Sequence, residues 1–369
     1  MITSDGITRR QLIKAVGAMS VATQLPGLAN GAMPTSSSIS DTGVRLQPLP
    51  TRIYKISDSG GEQTESWVIW LIVETSKQRD MKVHSATVQL LAGSQIIRST
   101  HYDATGARAL TIIPPLSPRL PDGRPSPLPI HWPLAIRIRN TEAKAARIDA
   151  VRVDLAFSEA DKVVHADVLL PVESFEQKTA LIFPFRGKGI ITNAGTTNGG
   201  HRNRSGQFAL DCVGLDTSYG VYVPGGGSKR EDYAGWGRAV IAPAAGTIVR
   251  VRSDRPDQPD PEKSDPMYFA PEHPNGGDPG NHVVIEHRNG EFSMIAHLQA
   301  GSVSVVVGDR IEQGQTLGKL GSSGDTETPH IHYQLQSGPD HAWADGLPCQ
   351  FTNIPTTTLV RGTYFDAKQ

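Results

Sequence analysis

Short apolar runs of period two, broken at close intervals by glycine and proline, constrain this chain more than any other feature. Thirty-seven glycines and twenty-seven prolines occur among its 369 residues. Glycine supplies turn conformations closed to other residues, and proline stops helices while pre-setting turns. An all-β architecture of many short strands is expected, and a helical bundle is excluded. Leu134, Ile136 and Ile138 alternate with Arg137 and Arg139, and Val151, Val153, Leu155 and Phe157 alternate with Arg152 and Asp154. Each pattern fits a strand with one dry and one wet face. Trp67 to Val73 is almost wholly apolar and reads as a central strand, whereas Pro114 to Pro129 reads as a long loop.

At about 150 residues per domain the length suggests two domains. Residues 44–175 carry the strand pattern of an antiparallel, immunoglobulin-like β-sandwich. No catalytic constellation stands out there: His84, His101, His131 and His165 are widely spaced and read as surface or satisfied core histidines. Lys and Arg number 36 against 37 Asp and Glu, a formal charge of −1 with no basic stretch, so nothing calls for nucleic acid as a partner. The chain contains no run of 18 apolar residues, so no stable membrane-spanning helix is expected.

Residues 1–32 differ in texture. Thr8-Arg9-Arg10-Gln11-Leu12-Ile13-Lys14 precedes the mildly apolar Ala15 to Ala22, with small residues near Ala29 and Ala32. A positive start, a short apolar stretch and a small-residue exit make an address segment rather than structure. The arginine pair in this frame resembles a twin-arginine export signal, which implies a folded protein delivered to the periplasm or cell exterior. Residues 33–43, rich in serine, read as a flexible linker. The two cysteines, Cys212 and Cys349, either pair in that oxidising setting or act as small buried hydrophobes.

The chemistry lies in residues 176–369. His201 follows the turn Asn198-Gly199-Gly200, and Gln207 to Leu210 reads as a short strand leading to Asp211. A loop imidazole and a strand carboxylate are both suited to zinc. Two strand-like runs flank Arg288-Asn289-Gly290-Glu291, a hairpin signal, and His297 closes the second run. His282 and His287 have odd spacing, fall on opposite faces of one strand and read as structural. Pro329-His330-Ile331-His332-Tyr333-Gln334-Leu335 alternates polar with apolar after a flexible Gly321 to Asp325. Both imidazoles then share one face, roughly 7 Å apart, so that one can hold a metal while the other reaches a group bound beside it.

These stretches together resemble the LytM/lysostaphin-type zinc metalloendopeptidases. The matching segments are His201 to Asp211, Ile295-Ala296-His297-Leu298 and His330-Ile331-His332-Tyr333, with Val240 to Val249 and Val307 to Gly318 resembling the family's glycine-punctuated scaffold. The resemblance covers roughly residues 180–340 and implies a C-terminal LytM-type (duplicated hybrid motif) β domain. It implies one Zn2+ held by His201, Asp211 and His332, with His297 and His330 as catalytic histidines. The implied activity is cleavage of peptide bonds in bacterial peptidoglycan cross-links, with water activated on zinc as nucleophile. Two features depart from the family pattern: His and Asp of the first motif are ten apart rather than four, and residues 253–279 form an insertion rich in Asp, Pro and Gly that would wall or lid a groove.

Rival readings differ in class. A catalytically inactive relative would bind cell wall or activate another hydrolase; it would lack ligands, and this sequence keeps all three. A sugar-permease phosphocarrier would share paired histidines but work in the cytoplasm, against the export signal. A lipoyl or biotinyl carrier needs a lysine at a hairpin tip, which the Gly308 to Gln315 segment does not offer. Neither a His-Glu-x-x-His helix motif nor a Gly-x-Ser-x-Gly elbow occurs.

Overall fold

A computed structural model describes residues 43–49, 53–57, 64–75, 82–112, 134–194, 201, 205–227, 229–260, 278–341, 344–354 and 359–368. The export-signal reading, the linker up to residue 42, the loop from Pro114 to Pro129, His131 and most of the 253–279 insertion lie outside the described residues.

The described chain is mostly strand. The first part comprises β1 (Val44–Leu49), β2 (Ile53–Ser57), β3 (Thr64–Thr75), β4 (Lys82–Ala92), β5 (Gln95–Tyr102), a short helix α1 (Ala104–Leu110), β6 (Thr111–Ile112), β7 (Leu134–Ala143), β8 (Ala150–Glu159) and β9 (Lys162–Ser174). The order β5-β4-β8-β9-β2-β3-β7-β6, with β1 also on β3, makes one nine-stranded sheet. Every pairing is antiparallel except that of β2 with β9, where Ile53 to Lys55 run parallel to Val172 to Ser174. That link joins what the sequence pattern suggests as separate layers. Period two decides what is buried: Trp67, Ile69 and Leu71 of β3 share a core with Val151, Val153 and Leu155 of β8. The apolar run from Trp67 pairs with β7 on one side and its second half with β1 on the other, as a central strand should. His84, His101 and His165 are exposed.

The second part comprises β10 (Gly187–Ala194), β11 (Leu210–Gly214), β12 (Ala239–Ile241), β13 (Gly246–Arg252), β14 (Asn281–Glu286), β15 (Phe292–Leu298), β16 (Arg310–Ile311), β17 (Thr316–Lys319), β18 (Ile331–Gln336), β19 (Gly346–Leu347) and β20 (Tyr364–Ala367). A second nine-stranded sheet runs β16-β13-β14-β15-β18-β11-β10-β20, with β19 on β18, and β12 pairs with β17 in a small sheet of its own. The β14–β15 connection turns at Asn289 (φ 68°) and Gly290 (φ 75°), the left-handed conformations that an Asn-Gly pair tolerates best. Cys212, Val283, Ile285, Ile295, Ile331, Tyr333 and Leu335 point from the large sheet into a core shared with Val240 and Leu317 of the small one. The alternate residues of β11, β15 and β18, including Asp211, Met294, Ala296 and His332, therefore belong to the opposite face.

Strand β11 starts at Leu210, and Ser205 to Phe208 form a turn rather than the strand expected from Gln207. The cysteines do not pair; both are free. Burial pushes the Cys349 thiol up to about 12 and the Cys212 thiol well above its ordinary value. Both act as small hydrophobes, Cys212 as a core residue and Cys349 packed against its margin.

His287 is structural, as its spacing suggests. Its Nδ1–H donates to the Ala245 carbonyl at 2.9 Å, so Nε2 accepts from the Ser293 hydroxyl at 2.7 Å, and Ser293 Oγ accepts from Tyr333 at 2.9 Å. His282 is also buried: Nδ1–H donates to the Gly280 carbonyl at 2.8 Å, while Nε2 has no hydrogen-bond partner among the described residues. Burial lowers its pKa from 6.5 to about 4. Protons then bind the unfolded chain in preference, so His282 stabilises the fold above pH 6.5 and loses that contribution as pH falls toward 4. The upper bound is on the order of 3 kcal/mol. In chemical denaturation, His282→Asn is expected to lose less stability than the wild type between pH 7 and pH 4.5. Equal losses in the two proteins would refute this.

Candidate metal centre

Strand register places the site at the middle of the second sheet. Asp211 of β11 lies directly opposite His332 of β18, which lies opposite Ala296 of β15. Val284, Phe292, Met294 and Ala296 form a small apolar floor on this face. His201, from the segment before β11, closes over the pair. His201 Nε2 is 3.0 Å from Asp211 Oδ2 and 3.1 Å from His332 Nδ1, which is 3.0 Å from Asp211 Oδ1. The three sequence-expected ligands thus converge, although 131 residues separate His201 from His332.

The triangle they form fits an ion. Ligands about 2.0–2.2 Å from a zinc stand a little over 3 Å apart; Asp211 faces His201 with Oδ2 and His332 with Oδ1, and one atom from each of the three residues lies within 4.8 Å of the others, so they could hold such an ion. The donor set is a carboxylate between two imidazoles, suited to a borderline divalent cation. Burial alone would raise the Asp211 carboxyl, but the charge of His201 and the polar contacts with His201, His330 and His332 hold it well below the carboxylate range. Burial, reinforced by His201, lowers the His332 pKa. Both effects keep the donors in the forms that bind metal: carboxylate and neutral imidazole.

A row of glutamines fixes the ring of His332. Because Nδ1 faces the cluster, Nε2–H donates to Gln334 Oε1 at 2.9 Å. Gln334 Nε2 in turn donates to Gln336 Oε1, and Gln336 Nε2 to the Gly338 carbonyl at 2.6 Å. Such outer hydrogen bonds set the tautomer and aim of a metal-binding imidazole. The period-two pattern of β18 carries this row in plain sight, since residues 332, 334 and 336 share a face.

His330 and His297 flank the cluster. His330 Nε2 stands 3.6 Å from Asp211 Oδ1, while its Nδ1–H donates to the Thr328 carbonyl at 2.7 Å beside the Thr326 hydroxyl at 3.0 Å. Burial opposes its protonation, but the Asp211 carboxylate outweighs burial and raises its pKa. The His297 ring centre is 4.7 Å from that of His330 and 6.0 Å from that of His332. Its Nδ1–H donates to the Ser323 carbonyl at 2.8 Å, and burial, with the two neighbouring imidazoles, holds its pKa well below 6.5. His297 also adopts φ 60°, a strained conformation for a side chain of this size. The Gly321 to Asp325 stretch, expected to be flexible, is packed: Ser322 and Ser323 are fully buried.

A half-buried carboxylate set between two imidazoles on an antiparallel sheet is a donor set that could hold a metal ion. Residues 230–342 match Peptidase family M23 and form an M23 (LytM-type) peptidase domain. That span contains His297, His330 and His332; His201 and Asp211 precede it and rest on the geometry above. Over 56 residues the chain is 44% identical to the peptidoglycan DD-endopeptidase ShyC of Vibrio cholerae, covering 15% of this chain and 12% of that protein. Over 71 residues it is 38% identical to ShyA of the same organism, also named a peptidoglycan DD-endopeptidase, covering 19% and 16%. The chain thus aligns with less than a fifth of the length of either relative. Among solved structures, the catalytic domain of lysostaphin from Staphylococcus simulans covers 44% of this chain and 88% of its own, with 19% identity and a TM-score of 0.26.

Proposed function

We propose that this protein is a zinc-dependent endopeptidase that cuts peptide bonds in bacterial peptidoglycan cross-links, acting in the periplasm or outside the cell. The observation that carries the reading is the convergence of His201, Asp211 and His332 with edges of 3.0–3.1 Å beside two further histidines. The M23 domain and the relatives named peptidoglycan DD-endopeptidases support peptidoglycan as the substrate. His201, Asp211 and His332 would hold the zinc, which when bound supplies a nucleophile from water near neutral pH and polarises the scissile carbonyl.

The protein's own side chains do the rest. Asp211 lies between the imidazoles and compensates their charge. Gln334 keeps His332 Nδ1 aimed at the centre. His297 and His330 each spend Nδ1–H on a backbone carbonyl, so each is left with Nε2 to exchange a proton or hold one at a reacting oxygen or nitrogen. The environments differ: Asp211 favours a protonated His330, and burial favours a neutral His297. One histidine is thereby suited to deliver a proton to the leaving amine and the other to accept one.

Digestion of defined cross-linked muropeptides, followed by weighing the products, tests the reading. New amine and carboxyl termini at one peptide bond are expected, and a chelator should abolish them while added zinc restores them. Intact muropeptides after digestion with zinc-loaded protein would instead favour a wall-binding role without cleavage.

A further inference from the structure

The described ends of the 253–279 insertion pack against the site's own scaffold. They grip the loop 321–325 from both sides. Asp257 Oδ1 accepts from the Ser322 amide at 2.9 Å, and Oδ2 accepts from the Ala300 amide at 2.9 Å. The Gln258 amide donates to the Ser322 carbonyl at 2.8 Å, and Gln258 Nε2 donates to the Gly324 carbonyl. From the far end of the insertion, the Asp278 carbonyl accepts from the Asp325 amide at 2.8 Å. Gln258 is buried, 1% exposed, and its own carbonyl is tied to Arg230 at 2.9 Å. A methyl on Gly280 would come within 2.2 Å of the Ser323 carbonyl oxygen, and one on Gly324 within 2.4 Å of the Asp278 carbonyl oxygen. The two segments therefore touch backbone to backbone.

One polar backbone group of this gripped loop faces the site. The Ser323 carbonyl accepts from His297 Nδ1 at 2.8 Å. The insertion also reaches His297 directly, since the Pro279 carbonyl accepts its backbone N–H at 3.1 Å. That bond supports a residue whose φ of 60° is unfavourable by itself.

Resting on the function proposed above, we propose that Asp257 and Gln258 are positioning residues for His297. They immobilise loop 321–325, fix the Ser323 carbonyl, and so impose the Nδ1–H form of His297 with Nε2 toward the His201–Asp211–His332 cluster. Neither residue contacts the ligands, so metal content is independent of them. The described ends of the insertion work as a clamp on the histidine, and the side chains of Asp257 and Gln258 are structural parts of the site.

The test is nitrogen NMR of histidine-labelled, zinc-loaded full-length protein, alongside zinc analysis and steady-state hydrolysis of a muropeptide. In wild type, His297 should show a single Nδ1–H tautomer. Asp257→Ala and Gln258→Ala should convert it to a mixture. With zinc still at one per chain, kcat should fall on the order of 10²-fold, the cost of a small misplacement, with KM unchanged. Asp257→Asn keeps one acceptor oxygen of the two and should fall between wild type and Asp257→Ala, which also covers the case in which alanine prevents folding. An unchanged His297 tautomer in these variants overturns the clamp, as does zinc loss in step with activity. If wild type cleaves nothing yet the tautomer still shifts, the hydrolase reading fails and the clamp stands.

Discussion

Replacing His332 by alanine is expected to take bound zinc from one per chain to none and to reduce peptide hydrolysis to background. The magnitude follows from the geometry. His332 Nδ1 stands 3.1 Å from His201 Nε2 and 3.0 Å from Asp211 Oδ1, so it contacts both of the other residues. Removing it leaves one imidazole and one carboxylate, short of the three protein ligands that a catalytic zinc site keeps. The loss is also electrostatic, since the half-buried Asp211 would keep one compensating imidazole fewer. The fold should survive: His332 is on the site face of β18, opposite Ala296, and the core contacts of that strand belong to Ile331, Tyr333 and Leu335. Metal analysis of purified wild type and His332→Ala, with circular dichroism to confirm folding, measures the effect. A variant that retains one tightly bound zinc would remove His332 from the ligand set. A wild type that never binds zinc would favour the wall-binding alternative.

How far the sequence discloses this site depends on what sort of signal each residue leaves. His330, His332, Gln334 and Gln336 lie on one strand, and alternation alone puts them on one face. The pairing of β18 with β11 and β15 is long-range, but each strand announces itself by its apolar period, so the sheet that carries the site is legible as well. His201 is different. It lies between chain segments without periodicity, and only its likeness to a known motif suggests it, at an unfamiliar distance from Asp211. Ser323 could not be found this way. A serine in a glycine-flanked stretch reads as a mobile loop, yet its carbonyl is aimed by the bonds that Asp257 and Gln258 make to the neighbouring Ser322 and by the Asn281 amide donating to its own hydroxyl, and contacts of this kind leave no mark on side-chain pattern. The same blindness explains the N-terminal half. Alternation shows which residues are buried, but the short parallel contact of β2 with β9 that joins the strands is backbone pairing between segments more than a hundred residues apart.

His330→Ala is expected to separate binding from chemistry: zinc should remain at one per chain while kcat falls by about 10² to 10⁴, the range for loss of a positioned acid or base. His330 is not among the three converging ligand atoms; its Nε2 stands 3.6 Å from Asp211 Oδ1. Its Nδ1–H is fixed on the Thr328 carbonyl, with Thr326 alongside, so the ring cannot turn over without losing buried hydrogen bonds. That arrangement leaves Nε2 toward Asp211, where the proposed reaction would need a donor for a tetrahedral oxyanion or a departing amine. His297, fixed by Ser323 on the other side, presents its own Nε2 to the same space. Because the proposed reaction uses both, loss of either should remove most of what the pair supplies. The double variant His297→Ala/His330→Ala should then be only slightly slower than the worse single variant. Kinetics on one defined muropeptide, with zinc measured on the same samples, distinguishes the cases. Normal cleavage by His330→Ala would reassign proton transfer to His297 alone, and loss of zinc in that variant would make His330 a ligand rather than a catalytic group.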